Sequence, residues 1–176
     1  MGETDSRDRG APLHRSRGPL GRTAQRSRGR ADAVVEEQVV RLAGLTGTDE
    51  VLVLGPGAAL RPAADRARRA TADPAEAPFD VVLSTHDAHR WPDRPTALAD
   101  LLDLLRPDGE LLLSAPEESL PGSRPGLDAD LRACGFVEVQ SWLWHPPGAV
   151  LQVQARARRP QDAEGRPQAP RDHPTR

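Results

Sequence analysis

Two short segments of the chain each follow an apolar run and contain residues suited to ligand binding or proton transfer. The first is the turn Gly55-Pro56-Gly57, which comes directly after the apolar residues 51–54. Glycines at such a place let the backbone turn tightly and approach a ligand, because no Cβ stands in the way. The same spacing also occurs in tight turns that bind nothing, so the pattern alone leaves both interpretations open.

The second segment covers residues 84–93, STHDAHRWPD, and it follows the apolar residues 81–83. A neutral imidazole of His86 or His89 can accept a proton from a bound molecule, and Asp87 could orient either ring. The alternative is an ordinary polar surface loop. The residue types by themselves are compatible with both.

An acidic residue stands at a suggestive distance from the glycine turn. A cofactor with a ribose needs an acceptor for its hydroxyls, typically a carboxylate about 20 residues after such a turn. Asp73 and Glu76 lie near that distance, but residues 68–72 read RRATA and contain no strand-like apolar run. Asp73 could instead only cap a turn before Pro74.

The apolar pattern predicts the elements that must position these segments. Continuous apolar runs, typical of parallel strands covered on both faces, occur at residues 51–54, 81–83 and 111–113. Helical patterns occur at residues 31–45, 62–70, 98–105 and 127–133. Residues 136–142 and 150–157 alternate around a Pro-Pro-Gly turn and predict an antiparallel edge. We therefore expect a doubly wound α/β sheet that brings both segments to the carboxyl ends of its strands.

Three stretches resemble the class I S-adenosylmethionine-dependent methyltransferases, above all the small type 11 domains. Residues 51–59, VLVLGPGAA, resemble the family's V-L-D-L-G-C-G-T-G, and residues 84–93 are similar to S-x-x-x-L-H-H-x-P-D. Residues 104–116, LLRPDGELLLSAP, resemble L-x-P-G-G-x-L-L-L-S-x-P. The resemblance covers about residues 31–158. It implies a Rossmann-like sheet, truncated relative to the full fold, and in-line methyl transfer from S-adenosylmethionine to a small-molecule acceptor.

The resemblance also implies a set of site residues. It assigns the cofactor to Gly55, Gly57, Ala59, Asp73 and Ser84, and His89 matches the family's first His, on the acceptor side. His86, in the same segment, is the second candidate catalytic residue. Val53 stands where the family has an acid that organises the loop around the cofactor. Ala59 stands where the family has a third glycine.

The stretch between the two main matches is short. Only residues 60–78 separate them, where the family places two more strands and a helix. Residues 72–80, ADPAEAPFD, resemble the family's later G-D-A-E-x-L-P-F, which would place Asp73 at the adenine rather than the ribose. On that alignment the second strand and its helix are missing. The sheet edge beside the first strand would then be exposed to a second copy of the chain or a partner protein.

The charge is unevenly distributed. Residues 1–30 carry a net charge of +5 and residues 156–176 a net charge of +3, whereas residues 31–155 carry −10, which together give the −2 of the whole chain. An acidic body argues against nucleic-acid binding by the folded part. We expect one domain at residues 31–159 between disordered tails at 1–30 and 160–176.

Composition excludes several classes. The single cysteine, Cys134, rules out an intrachain disulfide and fits a reducing cytoplasm, where we expect the protein. No apolar run approaches the roughly 18 residues needed to span a membrane, and no secretory signal or metal-ligand motif is present.

Three functions remain open from the sequence. The first is a small-molecule methyltransferase. The second is a degenerate domain that lacks catalysis and acts as a partner or scaffold, as suggested by Val53, Ala59 and the missing strand. The third is a nucleic-acid-associated protein that acts through its Arg-rich tails.

Overall fold

A computed structural model describes residues 19–55 and 59–161 of the 176-residue chain. For residues 19–29 and for His89 only the backbone is described. The described residues do not include Gly57. They also do not include residues 1–18 and 162–176, which make up most of both predicted tails. The predicted domain boundary at residue 31 falls inside the first helix, which begins at Pro19.

A six-stranded sheet in the order β2-β1-β3-β4-β6-β5 forms the centre of the described structure. Its strands are β1 (Glu50–Leu54), β2 (Arg69–Thr71), β3 (Phe79–Thr85), β4 (Leu105–Pro116), β5 (Val137–Trp144) and β6 (Gln152–Arg158). Strands β1 to β4 are mutually parallel, and β6 is antiparallel to both β4 and β5. This confirms the doubly wound, mostly parallel sheet with antiparallel pairing at its C-terminal edge. The outermost strand, β5, is itself parallel to β4, because β6 lies between them and reverses direction.

Helices cover both faces of the sheet. They are α1 (Pro19–Ala43), α2 (Leu60–Ala64), α3 (Arg94–Leu104) and α4 (Ser123–Ala133), with short 3-10 turns at Pro74–Glu76, Ala88–Arg90 and Glu117–Ser119. Helices α1 and α2 pack on one face, and α3 and α4 pack on the other. None of the described helices combines the length and the apolar character needed to cross a membrane.

Alternate residues of each central strand supply the two cores. Val51, Val53 and Leu112 face α1 and α2, whereas Leu52 and Leu113 face α3 and α4. Since successive side chains of a strand point to opposite faces, a strand covered on both sides must be apolar throughout. The continuous apolar runs in the sequence therefore have a direct structural cause.

The second strand is present, and the prediction that it is missing is wrong. Strand β2 is three residues long and pairs in parallel with β1, from Glu50 opposite Arg69 to Leu52 opposite Thr71. It lies at the edge of the sheet and its residues are half-buried or exposed, so it needs no apolar run. One of the two strands that the family resemblance places in this stretch is thus present, and β2 rather than β1 forms the exposed edge.

Charged side chains tie the amino ends of three strands together, far from the glycine turn. Arg106 of β4 donates to Asp80 of β3 at 2.6 Å and to Glu50 of β1 at 3.0 Å. A hydrogen bond from Arg69 and a second one from Arg106 lower the pKa of Glu50 below its ordinary value. Burial by itself would raise the pKa of Asp80, but the hydrogen bonds from Arg106 and from the Glu50 N–H outweigh it and lower that pKa. This cluster serves stability.

Candidate functional site

The start of the glycine turn lies beside the polar loop, residues 84–93, at the point where the strand order of the sheet reverses. Leu54 at the end of β1 lies opposite Ser84 near the end of β3. The chain continues from β1 to β2 on one side and from β3 to β4 on the other, so a switch point lies between β1 and β3. Open α/β sheets bind their ligands in the crevice beyond the carboxyl ends at such a point. The structure thus brings together the two segments that the sequence singled out.

Gly55 is in close contact with the end of β3. Its φ is +138°, and a Cβ built on it would lie 2.5 Å from Thr85 Oγ1 and 2.6 Å from the Thr85 carbonyl oxygen. No side chain fits in that space, and the backbone conformation is one that other residues rarely adopt. The glycine at this position is therefore required by packing alone, independently of any ligand.

Three consecutive residues at the end of β3 have buried polar atoms that remain unpaired. The Oγ of Ser84, the Oγ1 of Thr85 and the Nε2 of His86 are buried, and none of them has a hydrogen-bond partner among the described residues. A buried polar group without a partner costs about 1–3 kcal/mol. Groups of this kind are rare in native proteins, and these three lie together at the switch point.

His86 is held in an unusual backbone conformation. Its φ is +60°, and its N–H donates to the Ser114 carbonyl at 2.9 Å. A non-glycine residue in this region is uncommon and persists where its surroundings fix it. Its Nε2 lies 3.9 Å from Oδ1 of Asp32 on α1. The acid that faces His86 is therefore Asp32 and not the predicted Asp87, whose carboxylate lies 4.0 Å from Arg90.

A cavity of about 310 Å³ opens beside His86. Its described lining residues are Ala31, Asp32, His86, Pro116, Gly148, Ala149, Val150 and Gln152. The polar groups of Gln152 are engaged, because its Oε1 accepts from Ser114 at 3.4 Å and its Nε2 donates to the Val150 carbonyl at 3.1 Å. The cavity lies on the β4 side of β3, whereas Gly55 lies on the β1 side.

Glu36 on α1 is a site residue that the sequence interpretation missed. Its side chain is 1% exposed, and its carboxylate accepts a hydrogen bond from the N–H of Ala59 at the far end of the glycine turn. Val53 is buried in the core beneath the same helix. Glu36 thus provides a carboxylate next to the glycine turn. The family resemblance places such a carboxylate at position 53 instead. The available signal was an acid beside Val35 and Val39 on an apolar helix face.

Ala59 is packed within the protein, and its contact with a cofactor stays a prediction. Its side chain is 0% exposed and packs against α1 and α2 residues. Its N–H bonds to Glu36, and its carbonyl accepts from the N–H of Ala63 at 3.0 Å. Each polar group of Ala59 is therefore used within the protein, and its methyl group points into the core instead of toward the switch point.

Asp73 lies just beyond the carboxyl end of β2. Its Oδ1 accepts from the N–H of Ala75 at 2.9 Å, which confirms that it caps a turn. Its side chain is exposed, and Oδ2 has no partner among the described residues. The position at the end of the second strand matches that of a ribose acceptor in a dinucleotide-binding sheet.

His89 lies in the 3-10 turn at Ala88–Arg90, and its side chain is not described. Its catalytic role stays a prediction. Cys134 is buried, and its thiol donates to the Pro95 carbonyl at 3.2 Å, as expected for a packed residue. Within residues 19–55 and 59–161, no group of three or more His, Cys, Asp or Glu side chains could hold a metal ion.

Comparison with known proteins yields matches in structure but not in sequence. No protein-family model and no curated protein matches the chain. The 1,6-didemethyltoxoflavin-N1-methyltransferase of Burkholderia thailandensis matches at 22% identity with a TM-score of 0.53. That structure contains bound 1,6-didemethyltoxoflavin and S-adenosylhomocysteine. The match covers 86% of this chain and 93% of that one.

Two further structures give the same result. The N-methyltransferase NodS of Bradyrhizobium japonicum matches at 16% identity and a TM-score of 0.53, over 76% of this chain and 96% of that one. The CMeT domain of a citrinin polyketide synthase matches at 16% identity and a TM-score of 0.59, over 82% of this chain and 58% of that one. The chain therefore has the fold of the class I S-adenosylmethionine-dependent methyltransferases.

Proposed function

We propose that the protein is an S-adenosylmethionine-dependent methyltransferase that acts on a small molecule. One observation carries this proposal: the unpaired polar run Ser84 to His86 adjoins Gly55 at the switch point of a sheet with the methyltransferase fold. Ligands of doubly wound sheets bind at that point.

The residues at the switch point fit the cofactor. The turn that begins at Gly55 offers backbone at close range, and the buried hydroxyl of Ser84 offers a hydrogen bond. The free Oδ2 of Asp73 can accept from the ribose hydroxyls, as an acid at the end of a second strand does in related sheets. Gly57 would extend the turn around the amino-acid end of the cofactor. Bound there, S-adenosylmethionine would supply an electrophilic methyl group.

We assign the methyl-acceptor side of the site to His86. His86 lines the cavity beside β4, and its buried Nε2, which has no hydrogen-bond partner among the described residues, can take a proton from a bound molecule. Oδ1 of Asp32 lies 3.9 Å from that nitrogen. Many transfers of this kind depend mainly on holding the reacting atoms in line, which a shaped cavity next to the cofactor would provide.

The hypothesis of a degenerate, non-catalytic domain loses part of its support. It rested on Val53, Ala59 and the missing strand. Glu36 provides, through its bond to Ala59, a carboxylate that Val53 lacks. The methyl group of Ala59 is buried away from the switch point. A short β2 is present. The nucleic-acid hypothesis rests on the tails, whose Arg-rich residues lie mostly outside the described part of the chain.

Calorimetric titration of the full chain with S-adenosylhomocysteine tests the proposal. We expect micromolar binding by the wild-type chain. Binding should be lost in Gly55→Ala, whose Cβ would clash with Thr85, and this loss bears on the cofactor site only if the variant keeps a cooperative thermal transition. Gly47→Ala is the matched control, since a Cβ there meets no atom within 4 Å. Absence of binding by a wild-type protein with a cooperative thermal transition would contradict the proposal.

A further inference from the structure

We propose that the cavity beside His86 binds a small amine, which enters as an ammonium held by Asp32 and gives up a proton to Nε2 of His86. This inference rests on the proposed function, because it names the class of molecule that would accept the methyl group. Its evidence is separate from that for the cofactor and lies in the charge, the spacing and the size of the cavity.

The charge of the cavity favours a cation. Among the described lining residues, Asp32 carries the one fixed charge, and no Arg is present. The amide of Gln152, the other polar side chain besides His86, is engaged by Ser114 and Val150. A carboxylate or phenolate ligand would face the like charge of Asp32, with no fixed cation among the described lining residues to offset it. An ammonium group meets an opposite charge there and finds acceptors for its N–H groups.

The spacing of Asp32 and His86 suits one nitrogen atom between them. Oδ1 and Nε2 are 3.9 Å apart, which is too far for a hydrogen bond between them. A nitrogen placed about 2.8 Å from both atoms would donate one N–H to each. His86 is 9% exposed and its Nε2 is buried without a hydrogen-bond partner in the described structure, so such a donor would satisfy it. Asp32, half-exposed, stands toward the mouth of the cavity.

The same pair can prepare the nitrogen for reaction. An ammonium nitrogen has no lone pair and cannot act as a nucleophile until one proton leaves. In the proposed step one N–H bond breaks, an Nε2–H bond forms, and the imidazole of His86 becomes an imidazolium. The half-exposed carboxylate of Asp32, 3.9 Å from Nε2, offers the proton a route to solvent.

The size of the cavity limits the rest of the ligand. A volume of about 310 Å³ is at the small end of the range of about 300–1,000 Å³ usual for small-molecule sites. Pro116, Ala149 and Val150 provide an apolar wall. The ligand we infer is therefore a compact amine with a small apolar body.

A matched pair of probes tests this inference on the full chain. Benzylamine and benzyl alcohol have the same shape and differ in charge. We measure the binding of each by ligand-observed NMR at neutral pH, with S-adenosylhomocysteine at saturation, after calorimetry has established that it binds. We expect benzylamine to bind about tenfold more tightly, a difference of about 1.4 kcal/mol, because its ammonium group meets the opposite charge of Asp32.

Two variants assign the preference to a residue. Asp32→Asn should abolish the preference for the amine while leaving S-adenosylhomocysteine binding unchanged. Asp103→Asn, which removes an exposed acid of α3 outside the cavity, should retain it. Equal binding of both probes, or a preference that survives in Asp32→Asn, overturns this inference and leaves the proposed function intact. Failure of S-adenosylhomocysteine to bind overturns the proposed function itself, and this inference with it.

Discussion

The carboxylate of Glu36 accepts a hydrogen bond from the backbone N–H of Ala59, and this contact joins α1 to the far end of the glycine turn. The two residues are 23 positions apart in the chain, and both are buried. The N–H of Ala59 belongs to the start of α2, where the first N–H groups of a helix lack partners within the helix. Glu36 therefore holds Ala59 in place at the start of α2.

Removal of that carboxylate should affect both stability and binding. Glu36→Ala leaves the Ala59 N–H buried and unpaired, so we expect a loss of about 1–3 kcal/mol in the free energy of unfolding. The loosened turn should also weaken S-adenosylhomocysteine binding. Urea denaturation and calorimetry measure the two effects.

Two further variants control for that experiment. Glu36→Gln keeps an oxygen that can accept from Ala59 and should retain most of the stability. Glu37→Ala removes a half-exposed neighbour whose surface pair with Arg41 contributes at most about 1 kcal/mol. If Glu36→Ala and Glu37→Ala lose the same stability, the contact with Ala59 has no special role.

Ser84 offers a test that spares the fold. Its Oγ is buried and makes no hydrogen bond with any described residue, so Ser84→Ala should leave the free energy of unfolding unchanged or slightly raised. If the hydroxyl binds the cofactor, affinity for S-adenosylhomocysteine should fall about tenfold, the value of one hydrogen bond of about 1.4 kcal/mol. Ser119→Ala, at an exposed position in the 3-10 turn after β4, is the control. Unchanged affinity in Ser84→Ala would remove Ser84 from the predicted site.

The sequence predicted those parts of the structure that depend on local pattern. Strands buried on both faces must be apolar throughout, so the runs around Leu52, Val82 and Leu112 identified them. The glycine turn and the polar loop were placed together because the carboxyl ends of parallel strands share one edge. Strand β2 gave no such signal, because an edge strand held by backbone pairing and by the Arg69–Glu50 ion pair needs few apolar residues.

The site residues supplied by α1 could not be predicted in the same way. Asp32 and Glu36 belong to no motif, and their roles depend on contacts with His86 and Ala59 that only the packed fold creates. An acid on the apolar face of a helix was the available indication for Glu36. Asp32 gave none, since an acid on a partly exposed stretch of helix is ordinary.

The ion cluster at the amino ends of the strands should make stability depend on acid pH. Glu50 and Asp80 have ordinary pKa values of 4.5 and 3.8, and both pKa values are lowered in the folded protein. Each contribution is therefore fully present above the ordinary pKa and is lost as the pH falls through the lowered one. We expect stability to fall below about pH 4.5 as both carboxylates become protonated.

Arg106 provides the test of that dependence. Arg106→Gln removes the guanidinium that bonds both acids, so it should destabilise the protein at pH 7, and this deficit should shrink as the pH falls and the acids become protonated. Urea denaturation across this range measures the effect. Arg66→Gln, an exposed residue that bonds the Pro62 carbonyl, should shift stability by the same small amount at every pH. An Arg106→Gln deficit that is independent of pH would contradict the assignment.

The polar loop is anchored at its far end by Arg94, the first residue of α3. Its side chain is 10% exposed, and its Nε donates to Asp130 of α4 at 2.7 Å while its Nη1 donates to the Pro121 carbonyl at 2.9 Å. Arg94→Met keeps the length of the side chain but leaves Asp130 without its partner. We expect a loss of about 1.5–3 kcal/mol in the free energy of unfolding, the range for a hydrogen bond to a charged group.

Arg124→Met distinguishes this anchor from the general loss of an arginine. Arg124 lies on α4, is exposed, and donates to the Ser141 carbonyl at 3.2 Å, so its replacement should cost no more than about 0.5 kcal/mol. Arg94 bonds Asp130 and Pro121 and makes no such bond to Gly55, Ser84 or His86. The folded Arg94→Met protein should therefore still bind S-adenosylhomocysteine with wild-type affinity. A loss of S-adenosylhomocysteine affinity in Arg94→Met that parallels its loss of stability would contradict this prediction. It would mean that Arg94 also helps to position the cofactor site.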